Sequence, residues 1–124
     1  MRLYRRGIRR RLAPMLGGDQ RRTELAYSLL FTLPGTPVLR YGDEIGMGDD
    51  LSLPERESVR TPMQWTADRH GGFSIADKPV LLVVYGGLFG YQHVDVAEQR
   101  RDPGSLLNCT EQLIHMCKEC PEFG

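Results

Sequence analysis

The sequence predicts an α/β fold whose parallel sheet is incomplete. Three observations predict it. A helix with an apolar stripe turns tightly into a short apolar strand, a long polar loop leaves that strand, and a second capped helix follows. A helix, a tight turn and a strand in that order form the second half of a parallel βαβ unit. Two helices and one clear strand do not close a sheet, and parallel strands are normally covered on both faces. The rest of the sheet is therefore expected outside this chain.

The first helix lies in "GDQRRTELAYSLLFTLPG". Asp19 is a natural N-cap, and Pro34-Gly35 stop the helix. Leu25, Leu29 and Leu33, with Ala26 and Leu30, make one stripe at helical spacing, expected to pack on a sheet. "TPVLRYG", residues 36–42, reads as the buried strand, with Val38, Leu39 and Tyr41 as its strand-forming residues. Residues 42–80 form the loop, and a loop that long in a compact protein is usually functional. "PVLLVVYGG" offers another short strand. The second helix lies in "RRDPGSLLNCTEQLIHMCKECP", with Asp102 expected as its cap, Pro103 in its first turn and Pro121 after its end. Leu106, Leu107, Leu113, Ile114 and Cys117 fall on one face.

Composition limits the function classes. The 124 residues carry 16 basic and 16 acidic side chains and a 40% hydrophobic share. This describes one small globular unit with a modest core, not a disordered tail. No apolar run approaches the roughly 20 residues of a membrane helix, so no membrane partner is expected. No apolar signal core opens the sequence, so a cytoplasmic location is the expectation. Eight arginines against Asp19 alone fall between Met1 and Arg22. The run "RRGIRRR" suggests nucleic acid, or else arginines paired with carboxylates elsewhere. No aromatic interleaving or zinc-finger spacing supports the first reading, and no nucleic-acid partner is expected. Cys109, Cys117 and Cys120 are an odd set without standard zinc spacing, and free thiols are the expectation.

The chemistry concentrates in "RYGDEIGMGDDLSLPERESVRTPMQW", residues 40–65. In α/β folds, sites gather where loops leave the C-terminal ends of strands. Asp43 and Glu44 are adjacent, so on a continuing strand they point to opposite faces. They cannot then flank one glycosidic bond, which needs carboxyl groups ~5–9 Å apart across it. The EF-hand pattern of alternating ligands, glycine and a distant glutamate is not met. Neither Gly-x-Ser-x-Gly nor a phosphate-binding glycine loop is present, and "YGGLFG" lacks the strand-to-helix context. His70 and His93 have no local acid/base partner. Arg60 stands out in "VRTPMQW", where Pro62 stiffens the chain and Met63 and Trp65 are available for burial. A guanidinium held there can contact a carboxylate or sugar hydroxyls in bidentate fashion. Trp65 offers a ring for stacking, although a place in the core is the expectation.

"GTPVLRYGDEIGM" followed by "RTPMQW" and "GFS" resembles the eighth strand and following loop of the α-amylase superfamily, glycoside hydrolase family 13. "RGIRRRLAPML", "LLFTLPGTP", "VAEQRRDPGSLLN" and "KECPEFG" are similar to its trehalose synthase branch, and the resemblance covers nearly all of the chain. It implies a (β/α)8 TIM barrel of which residues 1–124 are a C-terminal part: a helix, strand eight, the active-site loop and the last barrel helix. It implies interconversion of maltose and trehalose by intramolecular glucosyl transfer as the activity of the whole enzyme, with a hydrolytic α-glucosidase or α-amylase as the alternative. A degenerate, non-catalytic remnant is the other reading.

The family's aspartate nucleophile, glutamate acid/base and stabilising aspartate follow strands four, five and seven. The last sits in a Phe-x-x-Asn-His-Asp motif that does not occur here, so no catalytic residue is assigned and the chain alone is expected to be inactive. Arg60 resembles the family's pocket-floor arginine and is the substrate-binding candidate. Asp43, Glu44 and Trp65 resemble supports of the loop. No metal or cofactor is expected, and any calcium site of the full enzyme would lie outside this chain. Some positions depart from the family: His70-Gly71 stand for Asn-Ala, Asp95 for Asn, Cys109 for Trp, and "HMC" for a more basic run. An open part of a barrel is also expected to be poorly stable alone, because it leaves strand edges and apolar faces uncovered.

Overall fold

The computed structural model describes residues 8–120. Arg2, Arg5, Arg6 and the expected helix stop at Pro121 lie outside them. Among the described residues four α-helices appear: α1 (Leu12–Met15), α2 (Gln20–Thr32), α3 (Val96–Arg101) and α4 (Leu106–Glu119). Between α2 and α3 the chain runs through irregular segments and short 3-10 turns, three of which (Asp43–Ile45, Glu55–Val59 and Arg69–Gly72) fall within the loop of residues 42–80.

The first helix forms where expected. Asp19 accepts a hydrogen bond from the backbone N–H of Arg22 at 3.2 Å, which satisfies one of the unpaired N–H groups of the first turn. The buried side differs from the expectation. Thr23, Tyr27 and Phe31 face inward, while Leu25, Leu29 and Leu33 are more than half exposed. The physical reason is that α2 packs on α4, and among the described residues there is no strand for the leucine stripe to cover.

The expected strand at 36–42 is absent, as is the short one in "PVLLVVYGG". A strand is stabilised by ladder bonds to a neighbour, and the described residues present none. Val38 is 80% exposed, while Leu39 packs against the Tyr27, Phe31 and Leu106 cluster.

The cap of α4 also differs. Ser105 holds it, with its hydroxyl accepting from the Asn108 N–H at 3.3 Å. Asp102 instead closes the tight turn between α3 and α4, accepting from the Gly104 N–H at 2.9 Å. A preceding helix that runs to Arg101 leaves Asp102 as its C-terminal boundary, so the start of α4 moves three residues on.

Two apolar clusters form the core. Tyr27, Phe31 and Leu106 gather Leu113, Ile114 and Cys117 between α2 and α4, as the helical spacing of α4 requires. Ile45, Met47, Met63 and Val96 fix the start of the long loop against α3. Each fully buried side chain of this kind contributes roughly 1.5–3 kcal/mol. Gln99 ties the two halves together: its Nε2 donates to the Ile45 carbonyl at 2.8 Å, and its Oε1 accepts from the Leu107 N–H at 3.1 Å.

Candidate functional site

The long loop is organised from its first turn. Gly42 has φ 88°, and a Cβ there would run into the Met47 side chain. Only glycine fits that left-handed, crowded position. The turn sends Asp43 and Glu44 in different directions, so the separation expected from a strand is met by a 3-10 turn instead.

Asp43 faces the buried guanidinium of Arg11. Arg11 Nη1 donates to Asp43 Oδ1 at 3.0 Å and to the Tyr41 carbonyl at 2.9 Å, and Nη2 donates to the Val59 carbonyl at 3.0 Å. Asp43 Oδ2 accepts from the Arg40 N–H at 3.0 Å. The Arg11 guanidinium also lies 5.3 Å from the centre of the Tyr41 ring. One cation thus joins both ends of the segment from Tyr41 to Val59. Arg10 pairs with Asp49 at 3.1 Å, and Arg9 donates to the Leu51 carbonyl at 2.9 Å. Arg10 and Arg11 thus pair with carboxylates of the acidic loop, as one reading of the arginine run expects, while Arg9 binds the loop's backbone.

Tyr27 closes the same network from α2, its hydroxyl donating to the Asp43 carbonyl at 2.6 Å. Burial pushes its phenol well above the ordinary range, and the charges of Asp43 and Glu44 add to that while Arg11 opposes it.

Glu44 points elsewhere. With Tyr41, Arg60, Trp65, Phe73 and Leu81 it lines a cavity of about 350 Å³. Three of the four residues singled out by sequence, Glu44, Arg60 and Trp65, therefore share one pocket, and Asp43 lies outside it in the Arg11 network. Among the described residues, the Arg60 guanidinium is held by Glu57 alone, at 3.2 Å, in a pair with both side chains 47% exposed. Such a pair contributes ~0–1 kcal/mol, so the guanidinium is readily available to another partner. Trp65 is not a core residue. It is 45% exposed, whereas Met63 beside it is buried. Met63 packs with Ile45, Met47 and Val96, and the buried Gln64 is anchored by its amide, donating to the Phe89 and Val94 carbonyls at 3.0 and 2.7 Å.

Sequence reasoning missed Arg11, Tyr41 and Phe73. Nothing in the arginine run separates Arg11 from its neighbours. Phe73 had a usable signal: it follows two glycines within the loop and has no apolar partners at strand or helix spacing. Among the described residues, no group of three or more His, Cys, Asp or Glu side chains is placed to hold a metal ion, and no helix is long and apolar enough to cross a membrane. Cys109, Cys117 and Cys120 are free thiols. Burial and the neighbouring Glu24 carboxylate, which is also hydrogen-bonded to it, raise the Cys109 thiol above its ordinary value.

The model of the α-amylase catalytic domain matches residues 9–123. The chain belongs to the α-amylase catalytic-domain family. Within that family it is similar to a trehalose synthase of Pimelobacter sp. strain R48, at 51% identity over 120 residues. That alignment covers 95% of this chain and 21% of the relative. A trehalose synthase/amylase of Mycobacterium tuberculosis is 50% identical over 120 residues, covering 95% of this chain and 20% of the relative. The chain spans about a fifth of the length of these curated relatives. Among solved structures, the trehalulose synthase MutB of Pseudomonas mesoacidophila MX-45 superimposes with a TM-score of 0.76 at 22% identity. The match covers 92% of this chain and 27% of that one, and it shows the fold: this α-amylase-family chain is a part of a (β/α)8 barrel.

Proposed function

We propose that the chain carries one wall of the sugar pocket of a trehalose synthase-like enzyme, which interconverts maltose and trehalose by intramolecular glucosyl transfer. The observation that carries this reading is the convergence of Arg60, Glu44 and Trp65 on one cavity, in a chain about half identical to trehalose synthases. Arg60 is the substrate-binding residue and donates to sugar hydroxyls. Asp43, through Arg11, supports the loop, and Glu44 and Trp65 shape its rim. Residues 1–124 are the C-terminal part of the barrel, in which 36–42 becomes strand eight once neighbouring strands supply ladder partners. The reacting carboxylates lie elsewhere in the whole enzyme, and the pocket must exclude water for transfer to outrun hydrolysis.

The test is product analysis. The purified chain incubated with maltose yields neither trehalose nor glucose. Joined to the upstream barrel of a trehalose synthase, it yields trehalose, and Arg60→Ala in that enzyme lowers turnover by roughly a hundredfold or more. Turnover by the chain alone that disappears with Arg60→Ala would overturn the assignment. A hydrolytic α-glucosidase or α-amylase is the second reading, favoured by the amylase half of the mycobacterial relative's name. It predicts glucose in place of trehalose from the same joined enzyme.

A further inference from the structure

Two thiols at the end of α4 take no part in the pocket. Cys117 lies in the last turn of the helix, and Cys120 is the residue on which the helix ends, with φ −106° and ψ 99°. Cys120 is still carried by the helix, because its N–H donates to the Met116 carbonyl at 3.0 Å. Both are partly exposed free thiols. Cys117 also packs against the Tyr27, Phe31 and Leu106 cluster between α2 and α4.

Helix geometry decides which thiols can meet. Residues three apart on an α-helix have Cα atoms about 5 Å apart, from the rise and radius of the helix. A disulfide spans Cα separations of roughly 4.4–6.8 Å. Cys117 and Cys120 are therefore within bridging range as the helix stands. Their Cβ atoms start roughly 5–6 Å apart, against about 3.8 Å in a disulfide. The gap closes if the last turn tightens toward 3-10 form, which helix ends adopt most readily. The Cys120 N–H then passes from the Met116 carbonyl to that of Cys117. Cys117 is held by its apolar neighbours, so the movement falls on Cys120. Cys109 is out of reach. It lies eight and eleven residues back on the same helix, about 12 Å and about 16 Å from the other two. Two Cα atoms more than roughly 7 Å apart are not bridged without backbone movement. The Cys109 thiol is also hydrogen-bonded to Glu24 on α2.

We propose that Cys117 and Cys120 form a reversible thiol–disulfide site that fastens the end of α4 to the α2–α4 core. The oxidant is a small disulfide. One protein thiolate attacks it, releases one small thiol and holds a mixed disulfide. The second protein thiolate attacks the protein sulfur of that bond and releases the other small thiol. Two electrons and two protons pass from the cysteine pair to the small disulfide, and excess small thiol reverses the sequence. Thiols that catalyse exchange are typically activated at a helix N-terminus. This pair ends its helix, so its role is to close and reopen its own bond. The site is independent of the sugar pocket, and either stands if the other fails.

The full chain is reduced, freed of reductant and incubated under native conditions with oxidised glutathione, and remaining thiols are blocked with N-ethylmaleimide. A spacer of two residues gives the second thiol an effective concentration in the millimolar range, so at about 0.1 mM oxidised glutathione closure outruns a second capping by roughly tenfold. The expected product has lost about two mass units and carries a maleimide on Cys109 alone. Trypsin cuts after Lys118, between the two cysteines, so peptides 102–118 and 119–124 stay joined until they are reduced. Cys109→Ser closes as wild type does. Cys120→Ser does not close and keeps glutathione on Cys117, with far-UV circular dichroism unchanged. In urea, where the helix no longer separates the thiols, bridges to Cys109 form as well. The same mixture in the native chain overturns the proposal, as does glutathione left on both Cys117 and Cys120, or maleimide on all three cysteines.

Discussion

The carboxylate of Asp43 lies 3.0 Å from the guanidinium of Arg11, whose side chain is only 2% exposed against 24% for Asp43. A residue from the arginine run thereby reaches across 32 positions to fix the first turn of the long loop. The value of the contact is geometric more than electrostatic. Replacing a buried pair by well-packed apolar groups is often neutral, whereas removing one partner strands the other.

Arg11→Ala therefore costs more than any single surface change. It leaves the Tyr41 and Val59 carbonyls and the Asp43 Oδ1 without the Arg11 donor. The expected loss is roughly 3–5 kcal/mol, read as a lower urea midpoint. Asp43→Asn keeps a neutral acceptor for the guanidinium and costs about 1–2 kcal/mol. Equal midpoints for wild type and Arg11→Ala would remove Arg11 from its organising role.

Tyr27 makes stability fall at alkaline pH. Its phenol titrates above its ordinary value of 10.0 in the folded chain. In the unfolded chain it ionises near that ordinary value, so above about pH 10 the unfolded state binds fewer protons. The stabilisation from Tyr27 is complete below about pH 10 and is lost as pH rises beyond it. Tyr27→Phe loses about 1 kcal/mol at neutral pH, because the Asp43 carbonyl loses its donor. It also flattens the decline above about pH 10 measured by urea titration. A variant as steep as wild type would assign the alkaline loss to another group.

Gly72→Ala tests the left-handed turn at His70, Gly71 and Gly72 independently of any sugar. The new methyl meets Thr66 Oγ1 at φ 70°, so the expected cost is roughly 1–3 kcal/mol. Thr66→Ser in the same chain removes a methyl but keeps the hydroxyl and does not rescue it, whereas Thr66→Ala does so in part. The urea midpoints of the three variants decide.

The leucine stripe of α2 carries the opposite expectation. Leu29 is 54% exposed, so Leu29→Lys changes the stability of the chain by no more than ~0.5 kcal/mol. It reduces self-association, because exposed contiguous apolar surface drives aggregation. Sedimentation of the two proteins at matched concentration checks this. In an enzyme containing the whole barrel the same substitution is expected to be strongly destabilising, because the stripe then faces its sheet.

Local chemistry was legible in the sequence. Asp19 caps α2 because a short carboxylate before a helical stretch has one obvious donor within reach. Leu113, Ile114 and Cys117 turn inward because their spacing fixes a single face of α4. The family was legible because "GTPVLRYGDEIGM" and "RTPMQW" are long, ordered strings, and Arg60, Glu44 and Trp65 came with them. Tertiary structure decided what depends on distant partners. It chose Arg11 from a run of equivalent arginines, turned Thr23, Tyr27 and Phe31 inward in place of the leucines, and left 36–42 without a ladder. It also brought Phe73 round to Trp65 through a left-handed turn. The physical reason is common to all four: a side chain's pattern states which face it can bury, but only a neighbour arriving from far along the chain settles which face is buried.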